Sequence, residues 1–348
     1  DYADAAELAA RGERALAALG SDQAAAWKLL RAQGVFRGRG AAPKVAFLYT
    51  GQGSQYPNML RTLRELEPVV AETFAEADRA MAEILERPLS EYVFADPEDA
   101  EAVKRAEAEL RKTEITQPAV LTVDVALTRL LAAHGIAPDL VMGHSLGEYG
   151  ALVAAGALPF AEALRAVSAR GHEMAHLETE DVGKLAAVFA PLEQVERTLE
   201  SVEGYVVIAN VNSRSQAVIG GASEAVDAAV ARFGAEGVNA VPLPVSHAFH
   251  TEIVRPVSEP LGATLRRLDL KPPSVPVVAN VTGELYPTGP ESPARMIELL
   301  MRQVASPVQF VKGLETLYAE GVRVFVELGP KKALHGFASD VLGGHEDV

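Results

Sequence analysis

The chain has 348 residues, enough for roughly two domains or one large α/β domain with an insertion, and 49% hydrophobic with 23% charged residues marks it as globular. A net charge of −15 argues against a general nucleic-acid surface and requires that any anionic substrate be met by local basic groups. There is no cysteine, which removes disulfides, thiolate nucleophiles and cysteine-based metal centres, and no apolar run approaches the ~20 residues of a membrane span. The start is acidic and Ala-rich, without an initiating Met or a basic-then-apolar leader. It reads as a piece of something longer, with the cytoplasm as the default compartment.

Residues 1–34 set Leu8, Leu16, Leu19, Trp27 and Leu30 at helical spacing, which predicts a helical linker over 1–42, closed by Gly38-Arg39-Gly40 and Pro43. Lys44–Tyr49 predicts a buried strand, and a glycine loop, Thr50-Gly51-Gln52-Gly53-Ser54-Gln55, follows it. That loop looks like a phosphate cradle but lacks the Lys-Ser/Thr ending of a P-loop. A helical pattern runs from Leu60 to about Leu110 with breaks near Pro88 and Asp96-Pro97, and another spans Gln117–His134 before Gly135 leads into a strand ending at Gly143. Strand, helix, strand and helix in this order predict a mostly parallel sheet.

From Gly183 the texture changes. Strands are expected over Lys184–Ala190, Tyr205–Asn212, Ser215–Gly221 and Asn239–Val245, with helices over Leu192–Glu203 and Ser223–Gly234. This β-α-β-β-α-β order predicts a ferredoxin-like unit inserted at 183–245. The remainder, 246–348, returns to the large unit, with strands over Val275–Asn280 and Val322–Leu328 and helices over Arg295–Gln303 and Leu314–Glu320. The expected fold class is α/β: an α/β-hydrolase-like large subdomain with a parallel sheet, built from 43–182 and 246–348, plus the ferredoxin-like insert.

The most informative stretch is Gly143-His144-Ser145-Leu146-Gly147, set between an apolar strand end and a helix expected over Glu148–Ala155. A serine on a strand-to-helix elbow is held in a strained conformation, and its neighbours two residues away must be small. The free N–H groups of the following helix would point at an oxyanion formed there. Serine needs a base, and the candidates are His144, His172, His176, His247 and His250. His144 lies in the elbow with its side chain turned away from the nucleophile, whereas Ser246-His247-Ala248-Phe249-His250 lies where the insert rejoins the large unit, a place where clefts form. A competing pattern, His172-Glu173-Met174-Ala175-His176, matches the H-E-x-x-H of zinc metalloproteases, but no convincing third ligand follows it in the chain. The nearby Glu178, Glu180 and Asp181 read as a solvated loop. Asn212 and Ser213 read equally well as a turn ending a strand.

GQGSQ, GHSLGEY, the Arg-Gly of SARGHEM, SHAFH, RQVASPVQF and FVELGPKKAL, in this order over about Pro43–Ala338, resemble the malonyl-CoA:acyl carrier protein transacylases and, more closely, the acyltransferase domains of polyketide synthases. The resemblance implies that Ser145 is the acylated nucleophile and His250 its base, oriented by a backbone carbonyl near Gln303 in place of an acid. It implies backbone N–H groups of Gln52 and Leu146 at the oxyanion, and Arg170, on the helical run leaving the elbow, as the grip on a malonyl carboxylate. In polyketide acyltransferases the HAFH form, here His247 to His250, accompanies malonyl selection, with Phe249 standing where an α-methyl group would lie. The activity implied is a ping-pong transfer of malonyl from malonyl-CoA to the phosphopantetheine thiol of an acyl carrier protein, with no metal or bound cofactor. Partners would be a carrier domain and, through the front linker, a ketosynthase and other synthase domains. The wording of the motifs looks most like iterative enediyne or polyunsaturated fatty acid synthases. A serine hydrolase such as a thioesterase, or a non-catalytic docking domain, are the alternatives.

Overall fold

The computed structural model describes residues 2–21, 24–38, 41–345 and 347–348, so Arg39 and Gly40 of the expected linker boundary lie outside the described residues. The chain divides into two units, Asp1–Pro43 and Lys44–Val348. In the first, helices α1 (Ala5–Ser21) and α2 (Ala24–Ala32) are tied together by Arg11, whose Nη1 donates to the Gln33 carbonyl at 2.6 Å. Leu30 is buried there, while Leu8, Leu16 and Leu19 remain exposed.

The second unit begins with β1 (Lys44–Tyr49), followed by α3 (Arg61–Leu66), α4 (Pro68–Met81), α5 (Leu89–Val93), α6 (Ala100–Glu109), α7 (Thr113–Ala133) and β2 (Leu140–Gly143). Helices α8 (Gly147–Ala154) and α9 (Phe160–Ala175) come next. The small subdomain then runs β3 (Lys184–Phe189), α10 (Leu192–Leu199), β4 (Val206–Val211), β5 (Ala217–Gly221), α11 (Ser223–Ala235) and β6 (Asn239–Pro242). A 3-10 turn at Glu252–Val257 leads to α12 (Ser258–Leu265), β7 (Val277–Val278), α13 (Ser292–Gln303), β8 (Val308–Gln309), α14 (Phe310–Ala319), β9 (Val322–Leu328) and α15 (Leu334–Leu342).

The large sheet is parallel throughout, in the order β7-β2-β1-β9. Ala46, Phe47, Leu48 and Tyr49 of β1 are all buried, as a central strand covered by helices on both faces requires. On one face lies α7, a helix of 21 residues and the one helix among the described residues long and apolar enough to cross a membrane. That corrects the expectation that no apolar run nears such length. Most of its first fourteen residues are buried against α4, α8 and α9, so its apolarity serves a core. The second sheet has the order β6-β3-β5-β4-β8, and its first four strands are antiparallel neighbours in the ferredoxin-like order.

Several boundaries differ from those expected. The fifth strand, β8, comes from the large subdomain and pairs in parallel with β4, Asn210 opposite Val308, which covers an edge that would otherwise be open. Two residues carry too little pattern to be seen as a strand. Only Asn239–Pro242 of the expected Asn239–Val245 strand forms β6; Leu243 keeps one bond to β3, its N–H to the Leu185 carbonyl at 2.8 Å, and Leu243 to Val245 line the cleft. Only Val277–Val278 of Val275–Asn280 pairs regularly, and the chain then turns at Asn280. The helical run after the elbow is two helices, α8 and α9, separated by a turn over 155–159, and Arg170 belongs to the second.

Asp124, on α7, is fully buried beside the ends of β1 and α8. Burial drives its pKa well above the ordinary carboxylate value, and the neighbouring Thr50 hydroxyl offsets only part of that. A raised folded-state pKa means that above about pH 4 the unfolded chain releases a proton that the folded chain keeps, so stability falls as pH rises. Asp124→Asn is therefore expected to raise the melting temperature relative to the parent by more at pH 8 than at pH 5. An equal difference at both pH values, measured by calorimetry, would contradict this.

Candidate active site

Ser145 sits between the end of β2 and the start of α8 with φ 53°, in the left-handed region that a serine enters only at a cost of about 1–3 kcal/mol. The elbow is closed by contact. A Cβ on Gly143 would fall 1.9 Å from the Gly147 carbonyl carbon, and one on Gly147 would fall 2.2 Å from the Tyr49 carbonyl oxygen. Asn280, arriving from the end of β7 and wholly buried, holds the strained turn from both sides. Its Oδ1 accepts from the Ser145 N–H at 2.6 Å and its Nδ2 donates to the Gly143 carbonyl at 2.7 Å.

His250 brings its Nε2 to 2.7 Å from Ser145 Oγ. Its Nδ1 lies 3.0 Å from the Gln303 carbonyl, which only accepts, so the proton sits on Nδ1 and Nε2 is free to receive the serine proton. His250 also has a positive φ, 62°, and its own N–H donates to the Val304 carbonyl at 3.1 Å. Ser145 and His250 are thus both held in left-handed backbone. Burial, helped by the Arg170 charge, lowers the His250 pKa to about 3, so the imidazole is held neutral.

Arg170 is 2% exposed, and its Nη2 stands 3.5 Å from Ser145 Oγ and 3.4 Å from Gln303 Oε1. Among the described residues no carboxylate pairs with it within 4 Å, and its Nε has no hydrogen-bond partner. The nearest acid in the sequence motif, Glu148, is engaged elsewhere. It accepts from Tyr286 Oη at 2.5 Å, from Gln303 Nε2 at 2.6 Å and from the Asn280 N–H at 3.2 Å. Burial raises its pKa to about 7 against the pull of those donors and of Arg170. Gln303 therefore does more than lend a carbonyl: its side chain also donates to the Ser145 carbonyl at 2.9 Å.

Gly51 brings the loop after β1 against the elbow, where a Cβ would lie 2.5 Å from the His144 carbonyl oxygen. Among the described residues, the backbone N–H groups of neither Gln52 nor Leu146 donate to a protein acceptor. A cleft of about 300 Å³ opens over these groups, lined by Gln52, Ser145, Arg170 and Phe249 from the large subdomain and by Leu185, Asn210 and Val218 from the small one. His144 also lines it but turns away from the serine, its Nε2 2.7 Å from Asn212 Oδ1. His247 is buried, 6% exposed, yet does not line the cleft; it packs 6.2 Å from the Phe249 ring. His172 and His176 are exposed on α9 and its end, away from the cleft lining. Asp181, in the loop expected to be merely solvated, accepts from the N–H groups of Gly183 and Ser223 and from the Ser223 hydroxyl.

Sequence reasoning did not find Asn280, Glu148, Tyr286 or Asn212 as parts of this arrangement. Glu148 had a signal, a lone acid at the start of an otherwise apolar helix. Asn280 had none.

A serine hydrogen-bonded to a carbonyl-oriented histidine, with two N–H groups that have no protein acceptor and a buried guanidinium that has no carboxylate within 4 Å among the described residues, is an arrangement suited to acyl transfer. The family model for the acyl transferase domain matches residues 46–342, and the chain belongs to that family of enzymes. Over 303 residues it is 39% identical to the malonyl CoA-acyl carrier protein transacylase of Bacillus subtilis, covering 86% of this chain and 90% of that one. It is 36% identical over 311 residues to the spectinabilin polyketide synthase system protein NorB of Streptomyces orinoci, covering 89% of this chain but 14% of that much longer one. The crystal structure of a malonyl CoA-acyl carrier protein transacylase from Clostridium perfringens superposes with a TM-score of 0.78 at 34% identity, over 88% of this chain and 91% of that one.

Asn280→Ala should leave the Ser145 N–H and Gly143 carbonyl unpartnered in a dry site. At about 1–3 kcal/mol for each of the two groups, the loss of stability is expected to be about 2–6 kcal/mol. Urea unfolding measures it, and a change below about 0.5 kcal/mol would show that the elbow holds itself.

Proposed function

We propose that the chain is a ping-pong acyltransferase moving malonyl from malonyl-CoA to the phosphopantetheine thiol of an acyl carrier protein. Ser145 Oγ attacks the thioester carbonyl while His250 Nε2 takes its proton. The carbonyl oxygen becomes an oxyanion facing the N–H groups of Gln52 and Leu146, and as it collapses the C–S bond breaks and the CoA sulfur leaves with the proton from His250. In the second half the carrier thiol gives its proton to His250 and attacks the Ser145 ester, and the proton returns to Oγ. Both thiols end in the same pantetheine arm, so one cleft serves both halves.

What supports a dicarboxylic acyl unit above all is Arg170, a guanidinium buried 3.5 Å from the nucleophile and, among the described residues, without a carboxylate within 4 Å. A malonyl carboxylate completes it through two parallel hydrogen bonds, while acetyl leaves it unpaired. Phe249, lining the same cleft, supports malonyl over methylmalonyl by occupying space. We further place the domain in a multidomain polyketide synthase, where a tethered carrier reaches an effective concentration of about mM and needs little steering from two acidic partners. The likeness to the spectinabilin synthase supports that placement.

Intact-protein mass spectrometry after competition among malonyl-, methylmalonyl- and acetyl-CoA tests the acyl unit. Malonyl should predominate on Ser145 and disappear in Ser145→Ala. Because hydrogen bonds to charged groups are worth roughly 1.5–3 kcal/mol each, Arg170→Gln should lower malonyl loading by about two orders of magnitude and erase its lead over acetyl. Dominant acetylation of the parent, or continued transfer by Ser145→Ala, would overturn the proposal.

The lowered His250 pKa sets a pH signature. Reaction of Ser145 with a neutral fluorophosphonate is expected to be within about twofold of its pH 7 rate at pH 5, where an imidazole at the ordinary 6.5 would have slowed by about twentyfold. A steep fall between pH 7 and 5 would mean that His250 is not held neutral by its surroundings.

A further inference from the structure

The H-E-x-x-H pattern on α9 has no role in acyl transfer, yet its two imidazoles do not stand alone. His172 and His176 lie one helical turn apart with ring centroids 4.1 Å apart, and the carboxylate of Glu114, at the start of α7, joins them. One donor atom from each of the three lies within 4.8 Å of the other two. The third member comes from upstream, which is why the sequence after His176 offers none. Its position is fixed by a close helix contact: a Cβ on Gly171 would fall 2.9 Å from the Thr113 carbonyl oxygen and 3.0 Å from Glu114 Cα. Without a side chain at Gly171, the backbone of α7 beds directly onto α9 beside His172.

We propose that Glu114, His172 and His176 form a binding site for a divalent transition metal of the zinc type, outside the acyl cleft and separate from its chemistry. The donor set of two imidazoles and a carboxylate suits Zn²⁺ and its neighbours, with water completing the shell. His176 is already oriented as a ligand, because its Nδ1 lies 2.9 Å from the His172 carbonyl, which accepts its proton and leaves the Nε2 lone pair free. Glu114 is uncommitted, since among the described residues it forms no ion pair within 4 Å, although the Lys112 ammonium is close enough to feel its charge. Zn–N bonds of about 2.0–2.1 Å put tetrahedral donors roughly 3.3 Å apart, so closing the site from 4.8 Å takes rotations of the two exposed imidazoles and the half-buried Glu114 carboxylate.

An ion here would bolt the start of α7 to the end of α9. Thr113, next to Glu114, has its Oγ1 3.5 Å from Gln52 Nε2 and 3.4 Å from Ser246 Oγ, and α9 carries Arg170 two residues before His172. The metal thus acts as a brace for the rim of the acyl cleft and supplies stability, with no step of the transfer passing through it.

The test uses the full chain without a histidine tag, stripped with chelator and dialysed against Zn²⁺. Atomic absorption is expected to find one zinc per chain, with a higher melting temperature than the stripped protein. Co²⁺ in its place should give visible bands of a nitrogen–oxygen site. Glu114→Gln should weaken zinc binding by about tenfold or more, and the His172→Ala/His176→Ala double variant should abolish it, while Ser145 acylation persists in both. Zinc bound equally by the double variant, or a parent chain that takes up none and does not change in melting temperature, would overturn the proposal.

Discussion

Everything in the acyl site depends on one crowded turn. Between β2 and α8 the chain reverses in a space where neither Gly143 nor Gly147 has room for a Cβ, and Ser145 is left in a backbone conformation that L-residues avoid. The strain is useful because the alternative, a relaxed turn, would swing Oγ away from the cleft. Asn280 offsets it with two hydrogen bonds to the two peptide groups that the turn would otherwise strand. His250 is held in a similar way, its positive φ secured by the bond from its N–H to the Val304 carbonyl. With both backbones fixed, the 2.7 Å contact between Ser145 and His250 is pre-set before any substrate arrives.

The electrostatics follow from that rigidity. A buried arginine is destabilising unless paired, and here the obvious partner, Glu148, is turned to Tyr286, Gln303 and the Asn280 N–H. An acidic residue behind His250, as serine hydrolases have, would sit in the same small volume and pair with Arg170. The Gln303 carbonyl orients the imidazole without adding a charge, so the guanidinium stays available. Under the proposed mechanism this has a second effect. Burial first, and the Arg170 cation second, hold down the His250 pKa, and a bound carboxylate neutralises that cation, so the smaller part of the depression is relieved when the correct acyl group is present.

Ser145, His250, Arg170, Gln52 and Gln303 were named through the family resemblance of their short motifs, and the structure places all five around one cleft. The four-strand order of the small sheet was legible from alternation and turns. Asn280 was not legible, because an asparagine ending a Val-rich strand carries no pattern and its role is set by a turn far upstream in the chain. The same holds for β8: two residues cannot show a period, and their strand exists only because β4 offers an open edge. His247 was grouped with Phe249 through the motif, and the two rings do pack together, yet only Phe249 reaches the cleft. Motifs name residues, whereas facing direction comes from packing.

The placement of β8 ties the two subdomains together beside the cleft. The segment that orients His250 through the Gln303 carbonyl continues, five residues later, as the outer strand of the small sheet, paired with Asn210 of β4, and Asn210 itself lines the cleft. The wall and the base are therefore tied to one short stretch of backbone. A hinge between the subdomains that moved the wall would pull on the residue that aims the imidazole. The two halves of the proposed reaction present different thiol carriers to the same cleft, and a wall coupled to the base in this way keeps proton transfer in register for both.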